Sequence, residues 1–227
     1  MAREGTSERV DATPLPRILA RGPWALDQVH AHWRDEHFQP DPAYAQAADA
    51  EIASLRERGS PSHDGVAARL VDYRARADAL ELELQPLRWA LRLVAGDASA
   101  SVAAVCVTRA ADGRWLAGRR AAWLSSWPGR WTLGAAGAVD AWENPATTLT
   151  RELYEEWSVS PERVRGEALV ELPQRLVMFV GQAWLPVDAE VVPDAEHDEF
   201  AWWPADIDEW PSEAEDRLRL MARLLAQ

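Results

Sequence analysis

Several carboxylates lie close together in the run GAVDAWENPATTLTRELYEEWSV, which covers residues 137–159. Asn144 is a good helix N-cap and Pro145 suits the first helical position, so a helix is predicted to begin there. At about 100° per residue, three carboxylates share roughly a third of its circumference: Glu152, Glu155 and Glu156. Carboxylates at these spacings repel one another unless a cation offsets them, and their hard oxygen atoms suit Mg²⁺ or Mn²⁺. The pattern predicts a divalent-metal site for phosphate chemistry.

The apolar residues of the same predicted helix occupy an adjacent arc, formed by Ala146, Leu149, Leu153 and Trp157. One arc is therefore expected to pack against a core while the next carries concentrated negative charge. A solvated acidic helix with Arg151 and Glu155 paired at i, i+4 is the alternative interpretation. It explains the charges of the helix but neither Glu143 nor the preceding loop.

The run resembles the Nudix signature: Gly, five residues, Glu, seven residues, then Arg-Glu-aliphatic-x-Glu-Glu-x-Gly-aliphatic. The matching residues are Gly137, Glu143, Arg151, Glu152, Leu153, Glu155, Glu156 and Val159. Ser158 replaces the Gly that ends the helix, and it is predicted to strain the helix exit without removing a ligand. Ala136 and Trp142 stand where family members commonly carry Gly, and these departures bear on substrate fit.

The resemblance implies roles for the signature residues. Its metal ligands are Glu152, Glu155, Glu156 and the backbone carbonyl of Ala136. Arg151 is expected to orient Glu152, and Glu143 to support the loop and contact a metal through water.

The resemblance leaves the general base open. Families that share the signature place it either on the helix, here Glu152, or in a later loop, where Glu196 and Glu199 are the candidates. Both locations are therefore alternatives for the general base.

Candidate substrate contacts flank the signature. Arg119 and Arg120 end the strand before it and could bind a terminal phosphate, and all 24 basic residues of the chain are arginines, whose guanidinium groups grip phosphate in a fork. Gly137 of the signature loop is a further candidate contact. Four tryptophans near the loop predict an aromatic wall for a base or a sugar: Trp123, Trp127, Trp131 and Trp142.

The predicted fold class is α+β, and the resemblance implies a Nudix-like α/β/α sandwich with a mixed sheet. SVAAVCVTRA and WLAGRR are predicted to form a hairpin through the turn ADGR, and WPGRWTLGAAGAVDA a short strand and loop. ALVELPQRLVMFVGQAWLP supplies two strands and AEHDEFAWWPADIDEWP a loop with a short strand. SEAEDRLRLMARLLAQ has the apolar spacing of a closing helix, expected opposite the signature helix.

The first part of the chain predicts a small α+β extension. We expect a flexible N-terminus at 1–15, the extension at 16–97 and the catalytic domain at 98–227. PWALDQVHAHWRDEH and DPAYAQAADAEIASLRER are predicted helices, GVAARLVDYRA and ADALELELQ predicted strands, and PLRWALRLVAG is ambiguous. On one helix His30 and His32 would face different sides, so no zinc site is predicted with His37.

Composition narrows the class of protein. The net charge of -13 argues against a nucleic-acid polymer as partner, since that contact needs a basic stripe. The only cysteine, Cys106, excludes an internal disulfide and lies in the apolar run SVAAVCV, which predicts a buried strand position. No apolar signal segment or 18-residue apolar stretch occurs. These features predict a cytoplasmic protein that does not enter membranes.

The resemblance implies a hydrolase that uses Mg²⁺ or Mn²⁺ to cleave the pyrophosphate bond of a small-molecule substrate. The expected substrate is a nucleoside diphosphate linked to another moiety, of the nucleotide-sugar or ADP-ribose type. Two alternatives are a non-catalytic nucleotide-sugar sensor, which would be expected to lose signature carboxylates, and an isoprenoid diphosphate isomerase. The isomerase resembles the chain at WPGRWTL and EHDEF but needs a cysteine at its pocket. Because many relatives dimerise, a homodimer is also considered.

Overall fold

The computed structural model describes residues 16–60, 64–94, 99–173 and 175–226, so the predicted flexible segment 1–15 lies outside the described residues. The strands are Arg17–Trp24 (β1), Val29–Trp33 (β2), Val66–Ala75 (β3), Leu80–Arg88 (β4), Val102–Arg109 (β5), Trp115–Arg120 (β6), Trp131–Leu133 (β7), Ala135–Ala138 (β8), Arg163–Glu171 (β9), Val177–Trp184 (β10) and His197–Trp203 (β11). The α-helices are Pro42–Glu57 (α1), Pro145–Trp157 (α2) and Asp216–Leu225 (α3). Short 3-10 helices cover Leu26–Gln28, Trp89–Leu93 and Ile207–Glu209.

The main sheet has eight strands and is mixed. Its order is β1-β9-β10-β5-β6-β11, with β8 added to β5 and β7 added to β6. β10 runs parallel to β5, whereas the other pairings of this sheet are antiparallel. Seven of the eight residues of β5 are buried, as expected for a strand covered on both faces.

The two faces of the sheet carry different helices. Because side chains alternate along a strand, β5 contributes to both faces. Val102, Ala104 and Cys106 pack in one cluster with Leu149, Leu153 and Trp157 of α2. Val105 and Val107 pack in a second cluster with Leu218, Ala222 and Leu225 of α3. The arrangement confirms the predicted α/β/α sandwich, with the signature helix and the closing helix on opposite faces.

The N-terminal segment contributes to both the main sheet and a second sheet. Strand β1 pairs with β9 at one edge of the main sheet, while β2, β4 and β3 form a separate three-stranded sheet in that order. Helix α1 and the 3-10 helix Trp89–Leu93 pack in a third cluster, which also reaches Ala138 of β8. The segment therefore packs directly against β8.

Three hydrogen bonds tie this segment to the loop before α2. The Ala68 amide donates to the Val139 carbonyl at 2.8 Å, and the Ala141 amide donates to the Val66 carbonyl at 3.0 Å. The Asn144 side chain donates to the backbone carbonyl of Val29 in β2 at 2.8 Å. The three-stranded sheet therefore braces the loop between β8 and α2, which follows the signature glycine and carries Glu143.

The helix predicted over PWALDQVHAHWRDEH is wrong. The structure has the end of β1, the 3-10 helix Leu26–Gln28 and strand β2 there. Burial alternates along β2, with Val29 buried and His30 and His32 exposed, so the local period is that of a strand. Parallel pairing with β4 supplies the backbone hydrogen bonds, and this long-range pairing has no local signal. The predicted helix over residues 41–58 and the strands over β3 and β4 are confirmed.

The predicted hairpin of SVAAVCVTRA and WLAGRR is correct only near its turn. β5 and β6 pair at Arg109 and Trp115, and then β8 inserts beside β5 while β7 pairs with β6. The closing helix begins at Asp216 and not at Ser212, and the ambiguous segment after β4 forms a 3-10 helix. No helix among the described residues combines the length and apolar character that crossing a membrane requires.

Candidate active site

Helix α2 begins and ends as its sequence predicts. The Asn144 side chain accepts a hydrogen bond from the Ala146 amide at 2.9 Å, and Pro145 occupies the first turn. Ser158 caps the C-terminus with φ 53° and ψ 32°, the left-handed conformation for which a glycine is usual. Trp142, which also stands at a family glycine, has φ 70°. Both departures therefore place a side chain on a strained backbone beside the site.

The three helix carboxylates differ in burial. Glu152 and Glu156 belong to the buried stripe of α2, with 9% and 3% of their surface exposed, whereas the side chain of Glu155 is 54% exposed. The Glu152 carboxylate lies over Gly137, where an added Cβ would come within 2.0 Å of the carboxyl carbon. Gly137 is therefore needed for this placement, because any other side chain would displace Glu152.

Arg151 joins the loop to the helix. Its Nε and Nη2 donate to the two carboxylate oxygens of Glu143, each at 3.0 Å, and Nη2 also donates to the Ala138 carbonyl at 3.1 Å. Its Nη1 lies 2.7 Å from Glu152 Oε1 and 2.9 Å from Glu155 Oε2. These contacts place Arg151 beside Glu152 and Glu143, and the roles of Arg151 in orienting Glu152 and of Glu143 in supporting the loop stay predictions.

Glu156 is anchored at one oxygen only. The Ala136 amide donates to Glu156 Oε1 at 2.9 Å. Oε2 is buried and has no hydrogen-bond partner among the described residues, with Nε2 of the buried His197 at 3.6 Å. The observed contact uses the N–H of Ala136, so the metal-ligand role of its carbonyl stays a prediction.

Burial and mutual repulsion perturb the acidic groups. Burial raises the pKa of Glu152 to about 7, although Arg151 acts in the opposite direction. Burial also raises the pKa of Glu156 well above its ordinary value and raises that of Glu196. In Glu143 burial is outweighed by hydrogen bonds from Arg151 and Thr148, which keep its pKa below the ordinary value. Ionisation of Glu152, Glu156 and Glu196 is thus less favourable than in water, and added positive charge would favour it.

The donor set fits a divalent cation. The unpartnered Oε2 of Glu156, the carboxylate of Glu152 above Gly137 and the exposed Glu155 supply hard oxygen atoms from successive turns of one helix. Within the described residues no group of three acidic, histidine or cysteine side chains already has metal-site geometry. Arg151 contacts Oε1 of Glu152 and Oε2 of Glu155, so these contacts leave the second oxygen of each carboxylate for a cation.

The raised pKa of Glu152 predicts a stability change with pH in the metal-free protein. Between the ordinary pKa of 4.5 and about 7, folding keeps a proton that the unfolded chain releases, so stability falls as the pH rises. The free energy of unfolding falls by about 3 kcal/mol in total for this shift, and it stays at the lower value above pH 7. Urea unfolding in EDTA across this window should show a flatter profile for Glu152→Gln than for wild type.

A matched control for this pH experiment is Glu51→Gln, which changes an exposed glutamate of α1. Its profile should follow wild type. Parallel profiles for wild type and Glu152→Gln would contradict the assignment of the pH dependence to Glu152.

Strand pairing separates the two predicted arginines and the two late glutamates. In the register of β6 and β11, Arg119 is opposite Glu199, and their side chains form a 3.2 Å ion pair. These two residues alternate with neighbours that face α2, so they lie on the α3 face. Arg120 lies on the α2 face, with Nη2 3.7 Å from Glu196 Oε2. The structure thus brings Arg120 and Glu196 to the carboxylates but not Arg119 and Glu199.

The tryptophans predicted to form one aromatic wall have different neighbours. Trp131 packs on Trp203 of the α3-side cluster with ring centroids 5.4 Å apart. The Trp127 ring lies 5.8 Å from the guanidinium carbon of Arg217 in α3. Trp142 is 57% exposed and packs instead on Trp33 of β2, at 5.3 Å. A single wall is therefore not formed, although each ring keeps exposed surface.

Two residues near the carboxylates were missed by the sequence analysis. His197 packs on Trp157 with ring centroids 4.4 Å apart and lies against Gly118, where a Cβ would clash with it. Arg92, from the 3-10 helix after β4, is close enough to interact electrostatically with Arg120 and Glu152. His197 stands within EHDEF, where only the glutamates were considered, and Arg92 has no local signal in its segment.

Cys106 is fully buried in the α2-side cluster, as predicted. Burial raises the pKa of its thiol to about 12. Because the side chain is inside the packed core and stays protonated, it is not available to a substrate. This observation counts against the isomerase alternative, which needs a cysteine in its pocket.

Comparisons with known proteins identify the family of this chain. The family model of the NUDIX domain matches residues 99–223, which is more than half of the chain. The chain therefore belongs to the Nudix family, and its class is that of a Nudix-type pyrophosphohydrolase. The site residues described above fall within the matched region, except Arg92 and the bracing strands.

Solved structures with a similar fold include three Nudix proteins. The MutT protein from Methanosarcina mazei Go1 is 21% identical over 56% of this chain and 96% of its own, with a TM-score of 0.43. The MutT NUDIX hydrolase from Burkholderia pseudomallei is 22% identical over 55% and 97%, with a TM-score of 0.46. The NUDIX domain of Shewanella oneidensis NrtR complexed with ADP ribose is 18% identical over 56% and 88%, with a TM-score of 0.41. No protein of curated function matches the sequence.

Proposed function

We propose that this chain uses Mg²⁺ or Mn²⁺ to hydrolyse the pyrophosphate bond of a nucleoside diphosphate linked to another moiety, such as a sugar or ribose. The coarser statement, a Nudix pyrophosphohydrolase acting on nucleoside diphosphate derivatives, follows from the family. The observation that carries the finer proposal is the set of four signature glutamates, of which two are buried beside Gly137 and Ala136. Burying carboxylates costs free energy, and a bound cation would offset that cost.

The proposed ligands are Glu152, Glu155 and Glu156, with the Ala136 carbonyl and Glu143 as further ligands, the latter through water. A bound divalent cation would neutralise the phosphoryl oxygens and acidify a water molecule. Ala136 fixes one oxygen of Glu156 and leaves Oε2 free among the described residues. Arg151 contacts both Glu143 of the loop and Glu152 of α2, and these contacts fix the position of the loop relative to the helix.

Glu152 is our proposed general base, and Glu196 is the alternative. With a pKa of about 7, Glu152 can accept a proton from water near neutral pH, although bound cations would lower this pKa. Glu196 is more exposed and stands beside Arg120, on the loop before β11. Glu199 is the weaker candidate, because it pairs with Arg119 on the other face.

Substrate contacts are proposed at Arg120 for a phosphoryl group and at Gly137 for the approach of the diphosphate. Trp142 is the proposed aromatic contact nearest to the signature loop, and Arg119, Trp127 and Trp131 are proposed only for parts of a substrate that reach the α3 face.

The division at 97/98, a homodimer and a cytoplasmic location also stay predictions. β1 lies within the main sheet, so we expect the two segments to fold as one unit.

A turnover screen tests the proposed function. With Mg²⁺, we expect hydrolysis of nucleotide sugars, ADP-ribose or dinucleotides, measured as release of the two monophosphate products. Nucleoside triphosphates are the second substrate class in the screen. Binding without turnover of any of these compounds would favour the sensor alternative, and turnover that continues in excess EDTA would contradict the role of the cation.

A further inference from the structure

Arg92 is a positively charged side chain of the N-terminal segment that interacts electrostatically with Arg120 and Glu152. It lies in the 3-10 helix Trp89–Leu93, which is fixed by packing of Ala90 and Leu91 with α1 and of neighbouring residues with Ala138 of β8. Its guanidinium carbon is 5.6 Å from the centre of the Trp89 ring. Arg92 is thus carried by a backbone segment that a packed core holds against β8.

The surroundings of Arg92 do not neutralise it. The positive charge of Arg92 is repelled by Arg120 and attracted by Glu152. The Arg92 side chain lies near the Trp89 ring but forms no hydrogen bond or ion pair with the residues that the structure describes. Burial, followed by repulsion from Arg120, lowers its pKa to about 10, so the guanidinium is still charged at neutral pH. A half-buried arginine next to a second arginine is unfavourable unless an anion joins them.

Arg120 is the second half of this arrangement. It is 8% exposed, and its Nε donates to the Ser126 carbonyl at 3.0 Å, which fixes the guanidinium in place. Its Nη2 is 3.7 Å from Glu196, beyond hydrogen-bond distance. Two guanidinium groups, one fixed by a hydrogen bond and one with neither a hydrogen bond nor an ion pair among the described residues, therefore interact with the carboxylates that would bind the cation.

We propose that Arg92 and Arg120 together form a phosphate receptor, which binds one phosphoryl group of the diphosphate substrate while the signature carboxylates hold the cation. Planar guanidinium forks match the oxygen atoms of a phosphoryl group. This inference rests on the proposed function, and it assigns part of substrate recognition to the N-terminal segment, outside the matched Nudix region.

Binding of methylenediphosphonate, a diphosphate analogue whose P–C–P bridge cannot be hydrolysed, tests this receptor. By calorimetry with and without Mg²⁺, Arg92→Gln should raise the dissociation constant by about 10- to 100-fold, because a charged hydrogen-bond donor is lost. Arg92→Lys should bind with intermediate affinity, since it keeps the charge but not the fork. The control Arg74→Gln, which changes an exposed arginine of β3, should bind as wild type does.

Stability separates recognition from a structural role. Arg92→Gln should leave the melting temperature of the ligand-free protein unchanged or higher, because it relieves repulsion between two arginines. Added methylenediphosphonate should also raise the melting temperature of Arg92→Gln by less than that of wild type. Equal binding by Arg92→Gln and Arg74→Gln, or no binding of the probe by wild type, would overturn the inference.

Turnover distinguishes failure of this inference from failure of the proposed function. If wild type hydrolyses a diphosphate and Arg92→Gln leaves both KM and the probe affinity unchanged, the receptor is wrong and the hydrolase proposal stands. If no diphosphate is hydrolysed but the probe binds through Arg92, the receptor stands and the hydrolase proposal fails.

Discussion

The Glu156→Gln variant is expected to lose about 10²- to 10³-fold in kcat while it keeps the wild-type fold. The reason is that Gln keeps an oxygen for the Ala136 amide but removes the negative charge from the buried position where a cation would bind. Divalent metal should raise the melting temperature of wild type by binding only the folded state, and this gain should be reduced in the variant. Steady-state kinetics and thermal melting with Mg²⁺ or EDTA provide the two measurements.

Glu51→Gln is the control for this comparison, because it removes the same charge from an exposed position on α1. It should retain both activity and the metal-dependent gain in melting temperature. Equal gains in wild type and in Glu156→Gln would place the cation elsewhere, and EDTA-resistant turnover would remove the need for it.

The signature helix could be predicted from sequence because its determinants are local. Asn144 and Pro145 start the helix, and Ser158 ends it in the left-handed conformation. The period of 3.6 residues then fixes which side chains share a face. The burial of Glu152 and Glu156 compared with the exposure of Glu155 was beyond this prediction, since it depends on where β8 lies against the helix.

The rest of the site depends on pairings between distant segments. Adjacent Arg119 and Arg120 look equivalent in the sequence, but alternation along a paired strand sends them to opposite faces of the sheet. The segment around His30 looks helical until its pairing with β4 is known. Arg92 is distant in sequence from the signature, and only packing of its 3-10 helix on the loop brings it near Glu152.

The contacts of the N-terminal segment give it two proposed roles in one site. Hydrogen bonds from β3 and the Asn144 contact with Val29 hold the loop that presents Gly137. Arg92 then adds positive charge where that loop and helix present negative charge. Contacts from outside the matched Nudix region fix the segment that leads into α2, and this packing helps to offset the repulsion among the carboxylates of that helix.

Only one of the variants Glu152→Gln and Glu196→Gln is expected to remove the acidic limb of the pH–rate profile at saturating Mg²⁺. A general base must be ionised to accept a proton, so activity falls below its pKa, and its loss costs about 10²- to 10⁴-fold in rate. We expect Glu152→Gln to be that variant. Arg151 orients Glu152 at 2.7 Å and Gly137 leaves room for it, whereas Glu196 has one arginine at 3.7 Å and a more exposed side chain.

The dependence of the rate on metal concentration separates a base from a ligand. Loss of a ligand alone should mainly raise the Mg²⁺ concentration needed for half-maximal rate. Loss of the base should lower the rate even at saturating Mg²⁺. Glu199→Gln serves as a control close to Glu196 in the chain, because its side chain pairs with Arg119 on the α3 face. If Glu152→Gln and Glu196→Gln both keep the wild-type profile and lose less than about tenfold in rate, the cation alone activates the water and the assignment of Glu152 as base is wrong.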